Sequence, residues 1–553
     1  MYSAEPLPHF VDHYLAFLHE AFPTTAAGDG VHTHDDLLED FSRAALDGLG
    51  RDLGSFGRRL DAMRPETLTP VQRLERPVLE SHIRARQYEL EQLRTWERSP
   101  QLYAETLAVS LASQALFAYA PAEERARRVL SKLRQAPRLL AQARENVKEP
   151  AGIFVKTALE TLRGVQGFIE RDLPRAFASV DELSLLGDLD DASKDAVRSI
   201  GEYAEYLENE VAPKTKGSFR LGRDRFETKL KLEEGITLSA DKLLDIALRE
   251  LAETQEEFRR LAAGKTGTKD PAAEWRKVKG VHPPAGQLVA FANQQLQELA
   301  AFLTKHRLVT VPDGEVIVAP TPPFYRWTFA SLWTPGPFES RPLPTYFYLT
   351  DVDPAWPPER QEEHLRDFSE ATLPAIAMHE VYPGHFLHFQ HVRAIESPLR
   401  KSIAFAPLSM VEGWAHYAEH LMIEQGFNKR KTSVRLGQLA EALIRLARLV
   451  VGIRLHVEDW SVEQGVRFFR DEAFLEEGSA RREAERGTFD PSYVVYALGK
   501  LMLLKLRADV EAAHGAGFSL KTFHDTLLGN GLVPFTTQRR LMLGADDSGA
   551  LLD

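Results

Sequence analysis

Two histidines and a glutamate in one short segment could hold a metal ion and activate water. Residues 374–391 read PAIAMHEVYPGHFLHFQH, and His379 and Glu380 match the opening of the zinc-hydrolase motif H-E-x-x-H. In that motif two histidines one helical turn apart hold the metal, and the glutamate takes a proton from the attacking water. The pair therefore indicates metal-assisted hydrolysis, provided that a second histidine reaches the same ion.

The second histidine is displaced from its usual place. Pro383 stands where the motif has that histidine, and the next one is His385, six residues after His379. On a continuous helix six residues turn by ~600°, which would leave the two rings ~120° apart. Pro383 disrupts a helix and Gly384 permits unusual dihedral angles, so a break or bulge here could bring His385 back toward His379. Pro374 suits the first turn of the preceding helix.

These residues resemble those of a known family. HEVYPGH is similar to the H-E-x-x-P-G-H signature of a large bacterial family described as a domain of unknown function and placed among zincin-like metallopeptidases. Further blocks resemble the same family, namely EGWAHYAE at 412–419, YALGKLMLLKLR at 496–507, FHDTLLGNGLVP at 523–534 and, more weakly, FRLG at 219–222. The likeness covers at least residues 219–534. The chain departs after PGH, where the family usually has an H-L-Q-like stretch and this sequence has FLH.

The resemblance implies a mainly α-helical, two-lobed zincin-like fold with a central cleft. That architecture looks like the angiotensin-converting-enzyme, oligopeptidase and thermostable carboxypeptidase families. It implies one zinc ion held by His379, His385 and Glu412, because in related zincins a glutamate on a following helix completes the site. Another divalent ion would also suit these ligands. Glu380 would be the general base.

Residues around Glu412 have two interpretations. Glu412, His416 and Glu419 share one helix face, and we expect His416 and Glu419 to orient the ligands. His416 could instead face solvent. Ser409 and Glu412 also fit a capping box, in which case Glu419 or His416 would be the third ligand.

Tyrosine and arginine candidates come from the later blocks. Tyr496, with Tyr493 nearby, is our candidate to stabilise the oxyanion, as a tyrosine hydroxyl does in related enzymes; the alternative is a core tyrosine. Arg507 could bind a substrate carboxylate through its planar fork, or could pair with a neighbouring helix. The remaining histidines of these segments are interpreted as ordinary or structural residues, namely His388, His391 and His524.

The elements that must position these residues read mainly as helices. Hydrophobic periodicity predicts helices on both sides of residue 210. With the motifs and the resemblance, this gives an N-terminal helical lobe over residues 1–210 and a catalytic helical lobe over 211–543, followed by a frayed tail at 544–553. Proline and aromatic residues crowd 308–353, which predicts a small β insert. Within it, Tyr346–Tyr348 could be an edge strand that adds an extended peptide, or could simply pack in the sheet.

Composition narrows the possible functions. The 553 residues include no cysteine, and 68 basic against 80 acidic side chains give a net charge of −12. A cysteine nucleophile, a thiolate metal site and disulfides are thereby excluded, while the acidic balance argues against nucleic acid as a partner. The apolar run at 106–122 is too short to span a membrane, and no signal peptide is recognised. We therefore expect a cytoplasmic protein without a membrane partner.

The sequence as a whole predicts a zinc-dependent peptidase that hydrolyses oligopeptides, with Glu380 as general base. Two alternatives stay open. One is a metal-dependent amidase or esterase acting on small molecules, and the other is a non-catalytic helical binding protein whose motif is structural. Nothing in the residue pattern indicates an oligomeric state.

Overall fold

Helices account for most of the described chain. The computed structural model describes residues 5–266, 270–322 and 330–552. Over these ranges it contains 25 α-helices and one three-stranded sheet. The prediction of a mainly α fold with a small β insert is therefore confirmed, although residues 323–329 of that insert lie outside the described ranges. Among the described residues no helix combines the length and apolar character that crossing a membrane requires.

Two units make up the chain. The first comprises Met1–Phe219, Pro335–Leu343 and Ser397–Phe405, and the second comprises Arg220–Thr334, Pro344–Glu396 and Ala406–Asp553. The two short later segments of the first unit have no counterpart in the sequence-based division at residue 210.

The first unit is built from helices with buried apolar faces. Its helices are α1 (Leu7–Ala21), α2 (Pro23–Asp29), α3 (Arg43–Asp61), α4 (Pro70–Tyr88), α5 (Thr95–Arg98), α6 (Pro100–Leu116), α7 (Ala122–Asn146), α8 (Gly152–Gly167), α9 (Leu173–Ala176), α10 (Leu183–Tyr206) and α18 (Pro398–Lys401). π-helical turns directly follow three of them, at Glu89–Leu93, Phe168–Asp172 and Leu207–Val211.

A buried aspartate fastens one of the short segments to this unit. Asp29 accepts hydrogen bonds from the Ser402 hydroxyl at 2.6 Å, the Ile403 backbone N–H at 2.8 Å and the His19 ring at 2.8 Å. Leu399 and Phe405 then join the apolar core formed by α1, α3 and α4. Because a buried carboxylate must find such donors, this contact explains why the segment belongs to the N-terminal helices.

The second unit contains the remaining helices and the sheet. Its helices are α11 (Arg223–Glu234), α12 (Ala240–Thr266), α13 (Pro271–Lys279), α14 (Leu288–His306), α15 (Pro358–Asp367), α16 (Leu373–Glu380), α17 (His385–Arg393), α19 (Leu408–Glu424), α20 (Thr432–Val457), α21 (Val462–Glu472), α22 (Glu477–Phe489), α23 (Val495–His514), α24 (Leu520–Gly529) and α25 (Phe535–Leu543). The tail beyond α25 has no helix in residues 544–552, but it is held to the protein, since Asp547 pairs with Arg539 and Leu551 is buried.

The sheet corrects one expectation. Its order is β1 (Val316–Pro320), β3 (Thr345–Leu349), β2 (Ala330–Trp333), with β1 parallel and β2 antiparallel to β3. Phe347 is paired on both sides, with Val318 and with Leu332. The prediction that Tyr346–Tyr348 is an edge strand is wrong, because both main-chain edges of β3 are already taken. Packing within the sheet, the alternative, is what the structure shows.

Close contact between α19 and α23 depends on two glycines. A Cβ atom added to Gly413 would lie 2.6 Å from the backbone of Gly499, and one added to Gly499 would lie 2.1 Å from the carbonyl oxygen of Ser409. These glycines belong to the EGWA and YALG blocks. They let the two helices approach at backbone distance, which brings side chains of the two blocks together in the second unit.

Candidate metal centre

A helix break separates the two histidines, as the sequence predicts. Helix α16 ends at Glu380, and α17 begins at His385. The indole N–H of Trp414 donates to the carbonyl oxygen of Pro383 at 2.8 Å and so holds the connecting loop. Gly384 is required for its size, since an added Cβ would lie 1.6 Å from the carbonyl oxygen of His379. The loop therefore folds tightly back onto the end of α16.

This break brings three possible ligands together. Nε2 of His379 lies 3.4 Å from Oε2 of Glu412, and Nε2 of His385 lies 3.5 Å from the same oxygen. The two rings are nearly perpendicular, at 86°, with centroids 4.8 Å apart. The three candidate ligand atoms all lie within 4.8 Å of one another. Zinc bonds of ~2.0–2.1 Å in tetrahedral geometry separate ligand atoms by ~3.3 Å, so the two distances to Glu412 suit such an ion.

Electrostatics in this cluster favour a positive charge. Burial opposes ionisation of Glu412, yet the neighbouring imidazoles of His385 and His379 hold the pKa of that carboxyl well below its usual range. Burial and the cation of Arg445 lower the pKa of His379, but the carboxylates of Glu412 and Glu419 outweigh them and raise that pKa to about 9. A proton or another cation is therefore stabilised among these side chains.

Glu419 fixes the orientation of the first histidine. Nδ1 of His379 donates to Oε1 of Glu419 at 2.8 Å, which leaves Nε2 directed at Glu412. Arg445 of α20 in turn contacts the same Glu419 oxygen at 3.0 Å. A carboxylate behind a metal-binding histidine is a common arrangement that sets the tautomer and ring position. Arg445 was not identified from the sequence, because nothing in the pattern of α20 marks it.

The capping-box interpretation of Glu412 is wrong. Helix α19 begins at Leu408, so Ser409 lies inside its first turn rather than at the cap. The carboxylate of Glu234 accepts the backbone N–H groups of Leu408 at 3.2 Å and Ser409 at 2.9 Å. Because Glu234 satisfies the helix start from α11, the side chain of Glu412 is free to face His379 and His385.

His416 is buried rather than solvent-facing, so that alternative is wrong. Only 1% of it is exposed. Burial, together with the cations of Lys500 and Arg445, lowers the pKa of His416 well below its ordinary value. A neutral, buried imidazole therefore lies on α19, one turn after Glu412.

The Tyr496 hydroxyl keeps its proton and accepts a hydrogen bond from an arginine. Burial and the nearby Glu412 carboxylate raise the pKa of Tyr496 to about 12, against the opposing cations of Arg486 and Arg448. Nη2 of Arg486 donates to its hydroxyl at 3.2 Å. The phenol is thus a neutral hydrogen-bond donor at neutral pH. Tyr493, in contrast, is fully buried among core residues.

Arg507 is engaged elsewhere. Its guanidinium donates to both carboxylate oxygens of Glu424, at 2.7 and 3.1 Å, and to the Tyr417 hydroxyl at 3.2 Å. Pairing with a neighbouring helix, the second interpretation, is therefore what the structure shows.

The remaining histidines have structural surroundings. His524 is held by the Tyr417 hydroxyl at 2.8 Å and the Leu308 carbonyl at 2.7 Å. His391 donates to the Thr310 carbonyl at 2.8 Å. His388 is fully buried near Trp414, and burial lowers its pKa to about 3. None of the three belongs to the His379, His385 and Glu412 group.

Glu380 is half-buried at the last position of α16, next to His379. Within the described residues its carboxylate has no hydrogen-bond or ion-pair partner, so it is available to accept a proton.

The fold and this group of side chains define a class: a mainly helical protein with a His/His/Glu group that could hold a metal ion. A profile of a bacterial protein family of unknown function, DUF885, matches residues 23–542, and the chain belongs to that family. Comparison with curated proteins finds no match.

Two solved structures share the fold. A candidate lipoprotein of unknown function from Shewanella oneidensis is 23% identical, with a TM-score of 0.81 over 98% of this chain and 100% of that one. A candidate lipoprotein from Colwellia psychrerythraea is 19% identical, with a TM-score of 0.82 over 97% of this chain and 98% of that one. These likenesses establish the fold alone.

Proposed function

We propose that this protein is a metal-dependent hydrolase, specifically a zinc peptidase acting on oligopeptides, with His379, His385 and Glu412 as ligands. The observation that carries the proposal is the convergence of two imidazoles on one carboxylate oxygen at 3.4 and 3.5 Å. The choice of peptides as substrates, and of a zincin-like two-lobed architecture with a cleft, depends on the resemblance of HEVYPGH and EGWAHYAE to zincin-like metallopeptidases.

Each neighbouring side chain has a defined task in this proposal. A bound zinc ion would polarise the scissile carbonyl and make water a better nucleophile. Glu380 would take the proton of the attacking water and pass it to the leaving amine. Glu419 would keep His379 in the tautomer that presents Nε2. The Tyr496 hydroxyl would donate to the oxyanion that forms at the carbonyl.

Substitution of the proposed base tests the function. We expect wild-type protein to hold one zinc ion and to hydrolyse members of a peptide library. Glu380→Gln should keep the zinc but lose about 10²- to 10⁴-fold in kcat, the range that a positioned general base contributes. Glu396→Gln, at an exposed glutamate in the loop after α17, is the matched control and should keep full activity.

The same assay separates the alternatives. Wild-type protein that holds zinc but hydrolyses no peptide would refute the peptidase. Turnover of small amides or esters alone would favour the small-molecule hydrolase. Unchanged metal content in His379→Ala and His385→Ala would favour the non-catalytic binding protein. The cytoplasmic location stays a prediction, and the candidate lipoproteins of similar fold make cell fractionation the appropriate measurement.

A further inference from the structure

Two arginines surround the tyrosine of the candidate active site. The guanidinium carbons of Arg448 and Arg486 lie 5.1 and 5.7 Å from the ring centroid of Tyr496. Both side chains reach solvent, with exposed fractions of 14% and 34%. Neither arginine was a candidate from the sequence, where Arg507 was named for binding a carboxylate.

Each of these arginines is fixed by an acidic partner and keeps donors free. Arg448 donates through Nε and Nη2 to Glu483, at 2.7 and 2.8 Å. Arg486 donates through Nε and Nη2 to one oxygen of Asp490, at 2.9 and 2.8 Å, and through Nη2 to Tyr496. Nη1 of both arginines has no acceptor within the described part of the chain. The carboxylates thus orient two guanidinium groups without using all of their donors.

From this geometry we propose that Arg448 and Arg486 bind the free α-carboxylate at the C-terminus of a short peptide substrate. Planar guanidinium groups are the side chains best suited to a carboxylate, and fixed ones lose little entropy on binding. This inference rests on the proposed function, because it takes the scissile carbonyl to lie at the Tyr496 hydroxyl.

The separation of the groups limits the length of the leaving peptide. An extended chain advances ~3.3–3.6 Å per residue. Nη2 of Arg486 lies 3.2 Å from the Tyr496 hydroxyl, so this guanidinium can reach a carboxylate one or two residues beyond a carbonyl held at that hydroxyl. The site would release a single C-terminal residue or a dipeptide, and would act poorly on internal bonds of long chains.

Equilibrium binding tests this without requiring turnover. The probes are N-acetyl-tetraalanine and its C-terminal amide, which differ only in the terminal charge. Calorimetric titration into Glu380→Gln should give at least about tenfold tighter binding of the acid. Adding Arg486→Gln should reduce that preference to within about twofold, whereas Arg507→Gln, at an arginine already occupied by Glu424, should leave it intact.

Several outcomes decide the proposal. Equal binding of acid and amide, no measurable binding of either, or a preference that survives Arg486→Gln would overturn it. Circular dichroism checks the fold of each variant. If Arg486→Gln unfolds, Arg448→Gln and Arg486→Lys replace it in the same titration. We then expect Arg448→Gln to lose the preference for the acid and Arg486→Lys to weaken it. Acid preference without hydrolysis by wild type would refute the peptidase alone. Hydrolysis of acid and amide at equal rates would refute the carboxylate site alone.

Discussion

Two clusters of histidine and carboxylate, one in each unit, use the same residue types in different ways. In the His32 cluster (His32, Asp35 and Glu339), Nδ1 bonds to Asp35 and Nε2 to Glu339, each at 2.8 Å. In the His379 cluster (His379, His385 and Glu412), the Nε2 atoms lie 3.4 and 3.5 Å from one shared oxygen. Ordinary N–H···O bonds are 2.7–3.2 Å long. Hydrogen bonds therefore join the three residues of the first cluster, whereas the wider distances in the second are those that a shared metal ion would need.

The difference teaches that spacing, rather than composition, separates an ion pair from a candidate metal centre. One imidazolium between two carboxylates uses both ring nitrogens and is complete. Two imidazoles directed at one carboxylate oxygen leave their Nε2 atoms without a hydrogen bond of ordinary length. The support also differs, since Glu419 and Arg445 hold His379 from behind, whereas the His32 ring stacks on Tyr119 at 3.7 Å.

Removing a histidine ring should affect zinc affinity very differently in the two clusters, and this is the largest effect that we expect. We expect His379→Ala and His385→Ala to weaken zinc binding by at least about 10³-fold, because two ligands cannot replace three. His32→Ala should leave zinc affinity unchanged, since both nitrogens of the His32 ring are already bonded to carboxylates. Competition with a chromophoric chelator measures the zinc dissociation constant of all three variants.

A surface group must be controlled in that experiment. Glu5, His9 and His13 also place ligand atoms within 4.8 Å of one another, but the histidines are exposed and Glu5 is paired with Arg59. The measurements are therefore repeated in a His9→Ala, His13→Ala background. Equal zinc affinity for His32→Ala and His379→Ala in that background would remove the distinction between the clusters.

The loop that brings His385 to His379 offers the next largest effect. In Gly384→Ala the new Cβ would collide with the His379 carbonyl, and we expect a loss of about 3 kcal/mol in unfolding free energy together with weaker zinc binding. Gly529→Ala, where an added Cβ meets nothing within 4 Å, should change stability by less than about 1 kcal/mol. Urea unfolding and the chelator assay report both quantities. Unchanged zinc affinity in Gly384→Ala would mean that the loop does not set the ligand geometry.

Much of the candidate site can be predicted from local sequence pattern. His379, Glu380 and His385 lie within seven residues, and Pro383 and Gly384 indicate the helix break directly, so the segment could be interpreted without the rest of the fold. Glu412 needed the resemblance of its block, because the same residue also fitted a helix cap.

Groups that arrive from distant elements could not be predicted in this way. Glu234 reaches the start of α19 from more than 170 positions earlier, and Arg445 reaches Glu419 from another helix. The central place of Tyr346–Tyr348 in its sheet depends on which strands pair with it, and a strand's own residues do not record that. Arg486 stood in a charged helix with many similar residues, where only the fold marks its contact with Tyr496.

The His32 cluster should make the free energy of unfolding depend on pH, and this is a smaller effect than those above. Burial lowers the pKa of His32, but Asp35 and Glu339 raise it to about 9, above the ordinary 6.5. A group whose pKa is raised by folding stabilises the protein fully below the ordinary value and loses that contribution as pH rises through the folded value. The difference between about 9 and 6.5 corresponds to at most about 3 kcal/mol.

Unfolding free energies at pH 6 and pH 9.5 test this closed ion pair. Wild type should lose about 1–3 kcal/mol more than His32→Gln over that interval, because the variant has no imidazolium to deprotonate. The difference between the two proteins cancels the titration of other groups. Adding zinc should not alter that difference, since both ring nitrogens of His32 are already bonded to carboxylates. A wild-type protein that parallels His32→Gln across the interval would show that the bridge between Asp35 and Glu339 adds no charge-dependent stability, and the contrast between the clusters would then depend on metal affinity alone.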